Sequence, residues 1–540
     1  ANSTGTTNVA VGSSALLANT TGTDNVAVGA LALDANTTAS QNTAVGRNAL
    51  TANTTGHSGI AIGAYALNAN TTGAYNLAIG RDTMVSNTTG TRNSAVGSNS
   101  LDANTTGSHN IAFGYAALTA NTTASYNIAI GDSAMGANTT GTQNIAIGQD
   151  ALATMSTSSY NTGVGYQALK VNTGQENAAF GTDSLLANTS GGRNTGLGAY
   201  SLNANTTAND NTGVGYLTLY ATTTGVDNTA VGAKALKTAT TATRNTAVGM
   251  DSLQACTTGS YNTGIGQRAL YASTTGTENV AMGYLAMDAN TTGSYNVGLG
   301  INALGANTTA NYNTAVGIGA MIANTTGHSN VAIGATAGDG ITTGVENTIV
   351  GYLAGDNITT ESYNIMIGHG TTAGNSNNHC IVIGHDISID GNFFAFGKSG
   401  NYVYNGFTSN ASWTRSSDER LKKNISTSTL GLDFINALRP VTFNWKDSRE
   451  IDSSDSELTD HYNADENLMD STTTLHGFVA QEVKTAMDNA GVSNFGGWNK
   501  LSTGVEGVSL EAMVTPLVKA LQEADDKIDA LTTRVAALES

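Results

Sequence analysis

The motif "NVAVG" at Asn8–Gly12 returns 17 residues later at Asn25, and "NTAVG" follows at Asn42. The series continues through "NLAIG" at Asn76, "NIAFG" at Asn110, "NTGVG" at Asn161 and "NTIVG" at Asn347, with 23 copies in all. The step falls to 16 only from Asn161 to Asn177 and from Gly368 to Gly384. A short fixed period builds a stack in which each unit rests mainly on its two neighbours. The consensus reads x-N-x-A-V-G-x-x-A-L-x-A-N-T-T-G-x.

Each column has a physical reading. The large apolar column (Val11, Val28, Val45, Ile62, Ile79) is expected to face a core. Its neighbour is Ala or Gly as far as Gly298, Ala315 and Ala332, then becomes Ile349, Met366 and Val382. Small residues imply close backbone approach, and the late change implies a core that widens toward the C-terminal end. The motif glycine occurs in every copy, as a positive φ or a crowded corner would require. "ANTTG" is turn chemistry. The residue before the motif Asn varies freely (Asp24, Gln41, Tyr75, Arg92, His109, Glu278), so that column is expected to be exposed. Subtracting two turns from each repeat leaves two strands of about four residues. One coil buries too little apolar surface to offset an ordering cost of roughly 1–2 kcal/mol per residue. The rod is therefore expected to bury its apolar face against copies of itself. Rungs about 4.8 Å apart give a rod on the order of 100 Å long, with the motif Asn column available for an amide ladder.

These columns resemble the head repeats of trimeric bacterial adhesins, which form narrow left-handed β-rolls in threes. The resemblance covers about residues 1–385, and it implies a mainly β fold: a 17-residue-repeat trimeric β-roll or β-solenoid. The period and the "NTTG" turn depart from the shorter adhesin repeat. Other readings of the repeat are weaker. "NTT" is also a glycosylation acceptor pattern, but turn geometry explains its recurrence. Thr pairs could bind ice, yet here they lie beside Gly in a turn. Calcium-binding β-rolls place an Asp in each glycine-rich turn, and these turns lack one, so no metal and no cofactor are expected. Tyr75, Tyr126, Tyr160, Tyr261, Tyr295, Tyr312 and Tyr363 could stack on sugars, though β-favouring surface residues explain them as well.

Composition changes near residue 400. The first 400 residues hold 19 acidic and 10 basic side chains, and the last 140 hold 21 and 12. All three tryptophans (Trp413, Trp445, Trp498) and both prolines (Pro440, Pro516) lie in the later part. Two differently built parts follow from this. The net charge is -18, with no basic stripe, which argues against nucleic acid as a partner. No stretch approaches the roughly 20 apolar residues of a membrane span, so no membrane insertion is expected. The chain opens at Ala1 inside a repeat, without a signal peptide, as a fragment or processed chain would. Cys256 and Cys380 each replace an Asn of the repeat and lie too far apart to pair.

Past Gly384 the period fades. "NFFAFG" (Asn392–Gly397) and "NYVYNG" (Asn401–Gly406) read as strands that close the rod. In "TRSSDERLKKNI" (Thr414–Ile425), Ser417 or Asp418 can cap a short helix. "LGLDFINALRPVTFNW" (Leu430–Trp445) reads as a helix ended before Pro440, then a strand. "LHGFVAQEVKTAM" (Leu475–Met487) reads as a turn into a helix, and Asp452–Ser471 as an acidic loop. Leu510, Val514, Leu517, Leu521, Ala524, Ile528, Leu531, Val535 and Leu538 keep steps of four and three, a heptad seam that predicts self-association.

"SSDERLKKNI", "LRPVTFNW", "HGFVAQEV" and the heptad tail resemble, in order and spacing, the intramolecular chaperone domain of phage tail spikes and fibres, the endosialidase-type or peptidase S74 domain. The resemblance covers about residues 412–540. It implies a domain that forms a homotrimer, guides folding of the preceding β-fibre and then cuts itself off between Ser416 and Ser417. The family pattern S-D-x-R-L-K falls on Ser417, Asp418, Arg420, Leu421 and Lys422, with further support from His476, Gly477, Gln481 and Glu482. It makes Ser417 the nucleophile and Lys422, rather than Lys423, the general base. A serine hydroxyl needs a base to take its proton, and a lysine serves when desolvation or neighbouring cations, here Arg420 and Lys423, favour its neutral form. His476 is expected to pack or hydrogen-bond within the fold rather than to catalyse.

The resulting division is a repetitive rod over 1–385, a rod-closing linker over 386–411, a self-cleaving chaperone over 412–508 and a coiled coil over 509–540. The expected protein is a virion tail fibre or spike that attaches to a host-surface receptor or glycan. Alternatives are a bacterial trimeric adhesin, which predicts a C-terminal membrane barrel, and a fibre with a permanent, uncut trimerisation domain. A membrane-tethered transcription factor needs a membrane helix and a basic region. A glycan depolymerase needs a carboxylate pair that does not stand out among the sparse acids of the rod.

Overall fold

The computed structural model describes residues 3–374, 378–389, 393–406, 414–415, 417–455, 457–458, 462, 464, 471–501 and 504–540. The chain separates into two compact units, Ala1–Ser416 and Ser417–Ser540.

The first unit is a β-solenoid. Strands β1 (Val9–Val11) to β22 (Ile365–Ile367) have three residues each and pair in parallel with the next coil. In every pairing equivalent columns meet, as in Val26↔Thr43, Ala27↔Ala44 and Val28↔Val45. Both 16-residue steps keep that register, with Thr162 opposite Ala178 and Ile365 opposite Ile381. The first of them takes its missing residue from the turn, where Asn172-Thr173-Gly174 replaces N-T-T-G. Beyond β22 come β23 (Thr372–Ala373), β24 (Ile381–His385), β25 (Ser388–Ile389), β26 (Phe393–Lys398), β27 (Asn401–Gly406) and β28 (Thr414–Arg415). β26 joins the stack in parallel, and β27 turns back on it antiparallel, so the stack ends in a hairpin.

Each coil up to β21 holds one strand, not the two expected; only in the coils of β22 and β24 does a second short strand form, β23 and β25, paired in parallel. The A-L segment cannot be a strand because alternate residues are left-handed: φ is 60° at Leu31 and 52° at Leu33. An L-residue gives up roughly 1–2 kcal/mol in that conformation. The stack compensates with bonds in both directions. Leu31 N–H donates to Ser13 O of the preceding coil at 2.9 Å, and Leu33 N–H to Ala49 O of the following coil at 3.0 Å. Leu33 is also fully buried.

The facing of the strand is the reverse of the expectation. The middle residues (Ala27, Ala44, Ala61) are fully buried, while the large apolar column points out: Val11 is 57% exposed, Ile62 39% and Phe113 39%. The coil is so narrow that only Ala or Gly fits opposite the incoming Leu. A Cβ on Gly163 would already lie 3.4 Å from Leu152 Cγ. The late switch to Ile349 is likewise a volume exchange rather than a widening. Gly338 and Gly355 then occupy the Leu column, and a Cβ on Gly355 would lie 2.8 Å from Ile349 Cδ1. Total volume is kept while the bulk moves to the other wall.

Two buried Asn ladders run up the stack. In the motif column, Asn25 Oδ1 accepts from Asn42 N–H at 3.0 Å, while Asn42 Nδ2 donates to Gly56 O at 3.0 Å. In the "NTT" column, which the sequence presents only as a turn, Asn104 Nδ2 donates to Asn87 Oδ1 at 2.7 Å and to Gly107 O at 3.0 Å. These asparagines are buried, which leaves a glycan no access. Where Met155, Thr222 and Ile341 interrupt the second ladder, Asn138, Asn205 and Asn324 each keep an Oδ1 without a partner. Cys256 occupies this ladder and Cys380 the first, and both are buried and not in a disulfide. Burial pushes the Cys256 thiol up to about 12, which keeps it neutral and unreactive.

The second unit is small. It contains α1 (Leu432–Ala437), β29 (Val441–Phe443), β30 (Leu475–Gly477), α2 (Ala480–Asn489), β31 (Trp498–Lys500), β32 (Glu506–Val508) and α3 (Val514–Glu539). α1 ends as expected before Pro440. "LHG", read as a turn, is the strand β30, antiparallel to β29. Leu430, Phe434, Val483, Ala486, Met487 and Met513 form its core. Much of the acidic stretch 452–471 lies outside the described residues. No helix among the described residues is long and apolar enough to cross a membrane.

Candidate functional site: a serine–lysine pair at the unit boundary

Ser417 opens the second unit, and a single 3-10 turn (Glu419–Leu421) follows it. Asp418 caps that turn, its carboxylate accepting from Arg420 N–H at 2.9 Å. Because Asp418 takes the capping role, the Ser417 hydroxyl is left for another partner. The turn brings Lys422 back over Ser417, and Lys422 Nζ lies 2.6 Å from Ser417 Oγ. Two residues read as a nucleophile and a base are thus within proton-transfer distance.

The surroundings differ from the expectation in one respect. Arg420 is not a free cation beside Lys422. Its guanidinium grips the Asp418 carboxylate, with Nη2 2.6 Å from Oδ2 and Nε 3.0 Å from Oδ1. That pairing holds the Asp418 carboxyl below its ordinary range and largely cancels the charge of Arg420. Ser417, Lys422 and Lys423 are all exposed, and Leu421 is 75% exposed. Ser416 lies outside the described residues.

The other motif residues build the unit instead. His476 departs from the expectation of packing: it is exposed on β30 opposite Thr442. Gly477 leaves room for the Phe443 ring, whose Cε1 would lie 3.2 Å from a Cβ there. Gln481 is exposed in the first turn of α2, and its carbonyl accepts from the Thr485 hydroxyl. Glu482 forms a two-point ion pair with Arg439, joining the "LRP" and "QEV" motifs. Among the described residues, no hydrogen bond links His476, Gln481 or Glu482 to Ser417 or Lys422. Sequence reading missed the Arg439–Glu482 pair, although opposite charges in two co-occurring motifs were its signal. It also missed Glu523 of α3, whose carboxylate accepts from Leu432 N–H at 2.7 Å at the start of α1.

The heptad seam is largely unpartnered in one chain. Leu517 is 50% exposed, Leu521 72%, Ile528 59%, Leu531 57%, Val535 51% and Leu538 85%. Ala524 is half-buried, and α3 packs on α1 through a different face that includes Pro516 and Ala520.

Residues 417–492 match the family model described as Chaperone of endosialidase, of the peptidase S74 class. No curated protein matches the chain. The match begins at Ser417, the residue at which the second compact unit begins. The chain thus joins a β-solenoid of 17-residue coils to a C-terminal segment similar to the chaperone of endosialidase.

Proposed function

We propose that this protein is a phage tail fibre or spike whose rod reaches a host surface, and whose C-terminal unit aligns three chains before cutting itself off between Ser416 and Ser417. The carrying observation is the 2.6 Å approach of Lys422 Nζ to Ser417 Oγ at the first residue of the family match. Lys422 takes the hydroxyl proton as Ser417 Oγ attacks the carbonyl carbon of Ser416. The C–N bond breaks, the proton passes to the departing Ser417 nitrogen, and an ester joins the Ser416 acyl group to Oγ. Water then hydrolyses that ester, leaving a Ser416 carboxylate and a free Ser417 hydroxyl. The nucleophile and its target are adjacent in one chain, so effective molarity stands in for a substrate pocket.

A lysine works as a base only when its neutral form is favoured, and full exposure does not favour it. Burial by neighbouring chains would, which couples the cut to completed assembly. Two surfaces support a homotrimer: the outward Val/Ile stripe of the rod and the open seam of α3. On this reading residues 1–385 are the rod, 386–411 its closure, 412–508 the chaperone and 509–540 the coiled coil. The exposed tyrosines offer aromatic surface to a receptor or glycan, though Tyr295 and Tyr312 stack on each other at 5.0 Å.

Denatured intact mass tests the reading. The wild-type chain should split between residues 416 and 417. Ser417→Ala and Lys422→Ala should keep the full 54.8 kDa, and Lys423→Ala should still cut. Cleavage of Ser417→Ala at the same bond contradicts the assignment.

A further inference from the structure

At the C-terminal end of the solenoid the column that follows the motif glycine does something it does nowhere else. Early copies carry Ser13, Ala30, Arg47 and Ala64 there; histidine occurs only at His369 and His385, in consecutive coils. The in-register stack of β22 and β24 lays the two imidazoles over each other, with centroids 4.7 Å apart and planes 10° from parallel. Asp386 comes next in the chain, at φ 51°. That left-handed turn swings its carboxylate back between the rings. His369 Nδ1 lies 2.8 Å from Asp386 Oδ1, and His385 Nδ1 lies 3.2 Å from Oδ2. Gly370 makes the space, since a Cβ there would lie 2.4 Å from Asp386 Oδ1.

We propose that His369, His385 and Asp386 bind one divalent transition-metal ion per chain, with Zn2+ as the reference ion. Two imidazole nitrogens and a carboxylate oxygen, all within 4.8 Å of one another, form a mixed N/O donor set. That set suits Zn2+, Co2+, Ni2+ or Cu2+ rather than Ca2+ or Mg2+, which take oxygen ligands. At metal–ligand bonds of about 2.0–2.2 Å, neighbouring ligands stand about 2.9–3.3 Å apart. The two nitrogen–oxygen separations, one to each oxygen of the carboxylate, already fall near that range, and rotation of the imidazoles brings both nitrogens onto one ion. The three side chains are exposed, which leaves the remaining coordination positions to water. Lys398, opposite His385 in the next strand, is the facing cation and limits affinity. The Tyr352 ring lies 5.4 Å from that of His369 on the preceding coil. Such an ion would tie β22 to β24 where the 17-residue period ends.

The test is calorimetric titration of the untagged full chain, stripped with chelator, using ZnCl2 alone. The expected result is saturable uptake of one Zn2+ per chain, with a higher midpoint for thermal unfolding. Asp386→Asn tolerates the left-handed backbone, so it should keep the fold and lose that uptake, as should His385→Ala. Absence of saturable uptake by the wild type, or unchanged one-to-one uptake by both variants, would overturn the site.

Discussion

The rod and the C-terminal unit solve folding in opposite ways. In the rod the strand pairings fall one coil away, so an addition of 17 residues repeats the same contacts. In the second unit the contacts are unique: Glu523 reaches Leu432, and Arg439 reaches Glu482. A repeat that is uniform along its length specifies its fold well and its alignment between chains poorly. Slipping one chain by a whole coil forfeits a single coil of contact and leaves the rest in register. The non-repeating unit has only one way to match its copies. On the proposed function it would supply the alignment that the rod lacks, which is a physical reason for attaching it.

Substitutions in the rod sharpen this contrast, because a local fault there has no alternative contacts to fall back on. The largest effect is expected at the motif glycine. Gly114 has φ +139°, and a Cβ on it would lie 2.3 Å from the Gly131 carbonyl oxygen. Gly114→Ala combines backbone strain of about 1–3 kcal/mol with a backbone clash, so protease cleavage should concentrate near that coil. Asn104→Leu comes next. It strands Asn87 Oδ1, and such a buried orphan costs about 1–3 kcal/mol, while Gly107 O keeps its bond from Asn93 Nδ2. The unfolding midpoint should drop, whereas exposed Thr→Ser changes in the same coil should leave it unchanged.

A smaller effect is expected in the C-terminal unit and depends on pH. The Leu432 N–H, with Lys519 close by, holds the Glu523 carboxyl below its ordinary range. A lowered folded value means this contribution is present above the ordinary carboxylate range and is lost as pH falls through the lowered one. Glu523→Gln should therefore lower the neutral plateau by that contribution and flatten the acid limb of the unit's stability profile. An unchanged acid limb would remove Glu523 from the account.

The repeat was legible because its period, its glycine and its Asn column are constraints on backbone, which sequence displays directly. The direction of the strand was not. The Val28 column reads as a core position, yet only Ala27 fits inside a coil this narrow, and Val28 faces outward. The second strand was misjudged because nothing in Leu31-Ala32-Leu33 announces two left-handed leucines. Their conformation follows from stacking, a tertiary effect. The "NTT" ladder hid behind good turn chemistry. At the candidate site, the short turn after Ser417 could be read from its capping residues, and the meeting of Ser417 with Lys422 follows from that turn. The capture of Arg420 by Asp418 could not be read, since a charge cluster shows its members and not its pairings.

The most direct test of the alignment argument is refolding from denaturant. The uncut Ser417→Ala chain and the isolated rod, residues 1–416, would be diluted in parallel and assayed for trimer by sedimentation and for β-structure by circular dichroism. The account predicts that the uncut chain regains uniform trimers, while the isolated rod gives a low yield of mixed, misaligned species. Equal recovery of uniform trimers by the rod alone would show that the repeats align themselves, and the C-terminal unit would lose its role as chaperone.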